Sequence, residues 1–131
     1  GFNPVAAGVL VVQPGADLSG VDLAGTRLAP RFDGSRCLSF AGVILRGANL
    51  SGADLGRLDF SGADLRDADL SGARLWRASL FEADLTGADL RGADLSLTRD
   101  FFSATLTDTR FDATTTCPDL TPATEEGCVT P

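Results

Sequence analysis

Histidine and lysine are both absent from this 131-residue sequence, so all 11 of its cationic side chains are arginines, against 18 aspartates and glutamates. The resulting net charge of −7 disfavours direct binding to nucleic acid, because such binding needs a basic face. The same charge suits an acidic surface that attracts a basic partner. Without histidine or lysine, arrangements that pair a nucleophile with a base are poorly supported, so we expect neither an enzyme nor a cofactor site.

Long apolar runs are missing as well. The longest is Val9-Leu10-Val11-Val12, whereas a membrane span needs about 18 or more apolar residues in succession. We therefore expect no membrane span. The length suits a single domain, and the first residues show no targeting pattern, although a leader that had been cleaved would leave no trace.

What the sequence does contain is a period of five residues. A large apolar residue, here called the central residue of its unit, recurs every five positions: Phe40, Leu45, Leu50, Leu55, Phe60, Leu65, Leu70, Leu75, Leu80, Leu85, Leu90 and Leu95. A smaller residue, usually alanine, stands two positions before each of them, and glycine is frequent two positions after. Glycine there suits a corner that needs a positive φ. A fixed period is the mark of a repeat architecture.

A period of five matches neither the 3.6 of an α-helix nor the 2 of a β-strand. It predicts a chain that turns a corner every five residues, so that four units form one square coil and coils stack at about 4.8 Å. One large and one small side chain of each unit then point inward and fill the interior. We expect that interior to be packing rather than a ligand site. The predicted core column contains Phe40, Phe60, Leu70, Leu80, Leu90 and Phe101.

The units at 48–52 (ANLSG), 53–55 (ADL) and 88–92 (ADLRG) resemble the pentapeptide-repeat family, whose pattern is A-[D/N]-L-x-x. The resemblance covers roughly residues 16–116. It implies an all-β fold, a right-handed quadrilateral β-helix. It implies almost nothing about function, because one fold supports many functions.

The period is interrupted twice. Leu28 and Phe40 stand twelve residues apart rather than ten, across a segment in which Pro30 and Gly34 mark a bulged corner or a loop. A slip of one residue separates Leu95 from Phe101. Counting the units predicts about five coils, with a total length of about 25 Å.

The ends of such a coil need caps, because an open end exposes the apolar column and unpaired backbone groups. We predict an N-terminal cap at 1–15, a repeat region at 16–116 and a C-terminal cap at 117–131.

Two of the three cysteines, Cys117 and Cys128, bracket a segment rich in proline, threonine and glutamate that has little apolar material to hold it down. A disulfide would staple it, at about 2–4 kcal/mol, and would indicate an oxidising compartment. The alternative is two unpaired surface thiols in a cytoplasmic protein. The sequence TCPD followed by a second cysteine near the end also resembles the tails of exported pentapeptide-repeat proteins. We interpret Cys37 as a free, partly buried thiol.

Aspartates precede many central residues and should point outward. Residues twenty apart lie one coil apart on the same side, so Asp64 stacks on Asp84, and Asp69 on Asp89. Close carboxylates can act as acid–base partners or bind a cation. Because these aspartates recur throughout the repeat and do not converge on one cleft, we interpret them as a solvated ladder that the motif requires.

A few outward positions hold aromatic residues. Trp76 and Phe81 each follow a central leucine, and Phe102 should stack beside Phe81 once the slip is taken into account. Arg77 and Arg99 lie nearby. Exposed aromatics beside arginines are typical of a protein interface, either with another protein or with a second copy in a dimer. The alternatives are that Phe81 and Phe102 only stack on each other, or that they lie under the C-terminal cap.

Two functions fit these features. The first is a non-enzymatic scaffold that binds an unidentified protein outside the cytoplasm, in a periplasm, a lumen or the extracellular space. The second, with a cytoplasmic location, comes from the resemblance, since some members of the family look like duplex DNA in size and charge and bind or protect DNA gyrase. The net charge and the aspartate ladders agree with such mimicry. Arginines such as Arg46, Arg66 and Arg91 interrupt the acidic faces, and a disulfide would place the protein away from gyrase.

Overall fold

The computed structural model describes residues 12–28, 39–124 and 126–128. Over these residues the chain forms the right-handed quadrilateral β-helix that the sequence predicts. It turns a corner every five residues, and parallel bridges of single residues join each coil to the next. The described residues contain no α-helix, hence no helix that could cross a membrane, and one 3₁₀ turn at Phe101–Ser103. The number of coils stays a prediction.

Each coil has four sides, and the bridging residues of successive coils form a ladder along each side. We number these sides faces 1 to 4. The ladder of face 1 is Asp17, Ile44, Asp64, Asp84 and Thr105. The ladder of face 2 is Asp22, Asn49, Asp69, Asp89 and Arg110. The ladder of face 3 is Arg27, Asp54, Arg74, Asp94 and Thr116. The ladder of face 4 is Ser39, Asp59, Ser79 and Arg99.

One unit in the middle of the stack shows how the motif produces this backbone. The Leu70 N–H donates to the Asp89 carbonyl of the next coil at 2.9 Å, and the Ala73 N–H donates to the Leu70 carbonyl at 3.0 Å, which closes the corner. The Asp69 carboxylate accepts hydrogen bonds from the Ser71 N–H at 3.0 Å and from the Ser71 hydroxyl at 2.6 Å. Aspartate before a central residue therefore closes an Asx turn at its own corner, which is why the motif uses it.

The interior is apolar along the described stack. The six residues of the predicted core column, which are Phe40, Phe60, Leu70, Leu80, Leu90 and Phe101, are each at most 1% exposed. The rings of Phe40 and Phe60 stack one coil apart with their centroids 5.3 Å from each other. Thr98 stands where most units have alanine, and its buried hydroxyl has no hydrogen-bond partner among the described residues.

The first interruption is larger than the spacing suggests. Arg27 pairs with Asp54 and Ser39 pairs with Asp59, and these two partners lie on consecutive faces, 3 and 4. Arg27 and Ser39 are thus twelve positions apart instead of the usual five. The prediction took ten residues as the regular spacing between Leu28 and Phe40, and this was wrong. Because Arg27 and Ser39 lie on consecutive faces, the regular spacing is five. Residues 29–38, with the predicted bulged corner and Cys37, lie outside the described part of the chain.

The second interruption is an inserted residue. Asp100 is exposed and adopts a φ of 56°, and the 3₁₀ turn that follows returns Phe101 to the interior. A further insertion comes before Thr116, which pairs with Asp94, twenty-two positions earlier. Cys117 then takes the central position and is 3% exposed. The five-residue pattern misses this insertion because cysteine is not one of the usual central residues.

The C-terminal residues fold back against the last coil. The disulfide between Cys117 and Cys128 that the sequence predicts is present. A Cβ added to Gly127 would lie 3.0 Å from the ring of Phe111, so the tail backbone closely approaches a partly buried aromatic residue. This contact supports a capping role. The boundaries of the C-terminal cap at 117–131 remain a proposal, as do those of the N-terminal cap at 1–15, most of which lies outside the described residues.

Replacing Leu70 by aspartate should abolish soluble folding. Burying a leucine contributes about 1.5–3 kcal/mol, and an unpaired buried charge in its place costs much more. Thr107→Asp, at an exposed corner, is the matched control and should be nearly silent. Soluble yield and melting temperature by circular dichroism measure both effects. Equal melting temperatures for the two variants would contradict the assignment of inward and outward positions.

Free-thiol counting on the unfolded, non-reduced protein should find one reactive thiol, Cys37. Cys128→Ser should lower the free energy of unfolding by about 2–4 kcal/mol, because the disulfide no longer restricts the unfolded chain. Urea titration measures this loss, and Cys37→Ser serves as the control for removal of a thiol outside the disulfide. Three reactive thiols in the non-reduced protein would show that the disulfide does not form.

Candidate interaction surface

The exposed large apolar side chains of the described residues lie in the C-terminal half of the stack, at Trp76, Phe81, Leu97, Phe102 and Leu120. Trp76 is 37% exposed and lies at the corner between faces 3 and 4. Phe81 is 45% exposed and lies at the corner between faces 4 and 1. These two residues of the predicted interface therefore stand at opposite edges of face 4.

Trp76 is held in place by its neighbours. The guanidinium carbons of Arg57 and Arg77 lie 4.8 and 4.9 Å from the centre of its ring. The indole also lies over Gly56, at the same corner one coil earlier, where an added Cβ would be 3.8 Å from Trp76 Cε3. Two cation–π contacts and close packing on a glycine thus fix an aromatic side chain that remains open to solvent.

Face 4 carries an open groove of about 590 Å³ beside these residues. The groove is lined by Arg57, Leu58, Asp59, Ser61, Arg77, Ser79, Arg99 and Asp100. Among the described residues of this lining, three arginines stand against two aspartates, an excess of basic side chains on a protein whose net charge is −7. Arg77 and Arg99, both predicted interface residues, form no ion pair with any described residue.

The corner beside the groove has an unusual backbone. Arg57, Arg77 and Leu97 occupy it in successive coils with φ values of 63°, 57° and 56°, in the left-handed region. The corner between faces 4 and 1 has Gly42 and Gly62 at the equivalent position in two coils and Glu82, with a φ of 54°, in the next. A residue other than glycine costs about 1–2 kcal/mol in this conformation. Arginine at two such positions therefore favours a role for the side chains themselves.

Phe102 lies differently from the arrangement that the period predicts. Its ring forms no stacked pair with that of Phe81 among the described residues. The 3₁₀ turn redirects the chain, so the Glu82 N–H donates to the Ser103 hydroxyl at 3.0 Å instead of to the Phe102 carbonyl. The Phe102 ring packs edge to face on the buried Phe101, with the centroids 5.2 Å apart. Phe102 is 49% exposed.

The carboxylates of faces 1 and 2 are occupied by contacts within the protein. Asp64 accepts hydrogen bonds from Arg46 Nε at 2.6 Å and from Arg66 Nη2 at 2.8 Å. Arg91 Nη2 donates to Asp89 at 2.7 Å, and this bond holds the pKa of Asp89 below its usual range. A carboxyl with a lowered pKa is a poor general acid near neutral pH. Within the described ranges, no group of three His, Cys, Asp or Glu could hold a metal ion.

Two residues of this surface escaped the sequence-based prediction. Arg57 and Gly56 stand twenty positions before Arg77 and Trp76, one coil away at the same corner. The spacing of twenty residues per coil therefore indicates that Arg57 and Gly56 lie beside Trp76. The predicted interface included only Trp76 and residues that follow it along the chain, whereas Arg57 and Gly56 lie in the preceding coil.

Comparisons with known proteins agree with the fold. The family model described as pentapeptide repeats, in eight copies, matches residues 38–62 and 59–96. A pentapeptide repeat protein from the thylakoid lumen of Arabidopsis thaliana is 36% identical over 78% of this chain and 61% of its own length, with a TM-score of 0.56. A pentapeptide repeat protein from Nostoc PCC 7120 is 33% identical over 69% of this chain and 64% of its own length, with a TM-score of 0.51.

A more distant similarity is to QnrB1, a plasmid-mediated fluoroquinolone resistance protein, at 21% identity over 74% of this chain and 58% of that protein, with a TM-score of 0.31. At that TM-score the similarity supports no conclusion about this chain. No curated protein matches the chain at a significant level. The chain spans less than two thirds of the length of the Arabidopsis and Nostoc structures. Its repeats, its coil and these relatives together show that it belongs to the pentapeptide-repeat family.

Proposed function

We propose that this protein is a non-enzymatic scaffold that binds another protein through face 4, outside the cytoplasm. The observation that carries the proposal is Trp76, which is exposed and yet fixed between Arg57 and Arg77 at the edge of an open groove. Tryptophan and arginine dominate the energetic centres of protein interfaces. An anchor that is ordered before binding loses less conformational entropy when the partner arrives.

The disulfide supports a location outside the cytoplasm, because disulfides persist mainly in oxidising compartments. The similar Arabidopsis protein comes from the thylakoid lumen. A periplasm, a lumen or secretion would each suit the chain. In the alternative, a cytoplasmic location, Cys117 and Cys128 would be kept reduced.

Mimicry of DNA, with binding to gyrase, is the less well supported of the two candidate functions. A mimic needs unneutralised carboxylates in regular rows. On face 1 Asp64 is paired with both Arg46 and Arg66, and on face 2 Asp89 is paired with Arg91. These ion pairs remove part of the negative potential that would resemble a phosphate backbone.

Self-association through face 4 is disfavoured by charge. A two-fold dimer places the same patch on both subunits. Each copy would bring three arginines but only Asp59 and Asp100 to the shared interface, and this excess of one sign of charge disfavours the dimer. A different protein is therefore the better partner for this face.

Trp76→Ser combined with Phe81→Ser should leave the fold intact and weaken association at least tenfold. Neither side chain belongs to the interior, and a residue at an interface centre contributes about 2 kcal/mol or more. Analytical ultracentrifugation measures self-association, and affinity capture followed by titration with the purified partner measures hetero-association. Circular dichroism controls for folding.

Ile44→Ser, an outward apolar residue on face 1, is the matched control and should bind normally. Unchanged association with unchanged folding in the double variant would discard face 4 as the interface. Lost folding would show that these aromatics pack under the C-terminal segment instead.

A further inference from the structure

We propose that the groove of face 4 receives an extended, acidic segment of a partner polypeptide. This inference rests on the proposed function, in which face 4 is the interface, and adds the chemistry of the partner. The carboxylates of that segment would meet Arg57, Arg77 and Arg99, and its apolar side chains would contact Trp76 at one edge and Phe81 at the other.

The first argument is charge. Three arginines at the corners beside faces 1 and 2 are neutralised by aspartates, since Arg46 and Arg66 pair with Asp64 and Arg91 pairs with Asp89. On face 4, by contrast, Arg77 and Arg99 form no ion pair with a described residue. The planar guanidinium matches a carboxylate with two parallel hydrogen bonds, so an acidic ligand is the complement of these side chains.

The second argument is the spacing of the cations. Arg57, Arg77 and Arg99 belong to three successive coils, so they are distributed over two coil steps of about 4.8 Å each. That distance is close to the length of three residues of an extended chain, at about 3.3 Å per residue. A polypeptide with several carboxylates can contact all three coils, whereas a single small anion cannot.

The third argument excludes a polyanion. Asp59 and Asp100 line the same groove as the arginines. A nucleic acid, with a charge at every phosphate, would meet these carboxylates as well as the net charge of −7. A peptide can place an amide or hydroxyl donor where the groove is acidic and a carboxylate where it is basic.

A second copy of this chain fits less well. If face 1 of a second copy entered the groove, Asp64 would bring its ion-pair partners Arg46 and Arg66 with it. These two arginines would then approach the arginines of face 4.

The sequence provides its own probe, because Trp76 is its single tryptophan. The ligand for the test is an acetylated and amidated peptide of about eight residues in which glutamate alternates with leucine or serine. Its counterpart carries glutamine in place of every glutamate. Emission from Trp76 reports binding at face 4 of the native protein. Anisotropy of the fluorescein-labelled peptide measures affinity for every variant, at low and at high salt.

Arg57→Gly combined with Arg77→Gly should weaken binding of the glutamate peptide at least tenfold. The melting temperature should stay the same or rise, because glycine relieves the left-handed corners. Arg46→Ala combined with Arg91→Ala removes the same charge from faces 1 and 2 and should change the affinity less than twofold. Arg99→Gln provides a second groove variant if the glycine variant fails to fold. The glutamine peptide should bind at least tenfold more weakly than the glutamate peptide to the native protein.

Equal losses in the groove and control variants, equal affinity for the two peptides, or no binding at millimolar peptide would each overturn the acidic-partner proposal. So would a dimer that occupies the groove and is not displaced by the glutamate peptide. If Trp76→Ser with Phe81→Ser weakens association while Arg57→Gly with Arg77→Gly does not, only the acidic partner is rejected and face 4 remains the interface. If neither double variant changes association, both proposals fail.

Discussion

Each side of the coil has room inside for one large apolar side chain and one small one, and the remaining features depend on that constraint. Successive coils are joined by backbone bridges at every side, so an inward residue such as Leu70 is enclosed by its own coil and by the coils on either side. The other residues of each unit must face solvent or form the corner. This explains why aspartate and serine recur, since Asp69 and Ser71 satisfy the corner's own N–H and hydroxyl groups.

Because the inward residues fill the core, residues that serve a function must lie at the corners and on the outer faces. The corner between faces 3 and 4 departs most clearly from the motif, with Arg57 and Arg77 in a backbone conformation that favours glycine. These arginines enclose Trp76 from two sides. The coil thus tolerates local backbone strain at the corner that presents Trp76 and the groove. Strained residues commonly occur at functional sites in proteins.

The sequence was sufficient for the fold and for the inward and outward positions, because a period of five leaves only one way to bury Leu70 and expose Trp76. It was insufficient wherever a residue is inserted. The spacing of Arg27 and Ser39 did not indicate that they lie on consecutive faces, and the pattern did not identify Cys117 as the residue at a central position. Phe102 was predicted to lie beside Phe81 one coil further on, but its ring packs on Phe101 at a 3₁₀ turn, which no periodicity encodes. Arg57 was missed because its contact with Trp76 crosses from one coil to the next.

The central claim is that face 4 is an exposed, locally positive surface on a negatively charged protein, and Trp76 allows a direct test. Collisional quenching of its fluorescence should be compared for iodide, caesium and neutral acrylamide at constant ionic strength. Each quenching constant is divided by the constant of the same quencher for free N-acetyltryptophanamide. This normalised constant should be larger for iodide than for caesium, because the guanidiniums that flank the ring concentrate anions there, and acrylamide should confirm that the ring is accessible. A larger normalised constant for caesium, as the net charge of −7 alone would predict, or no quenching by acrylamide would contradict the claim.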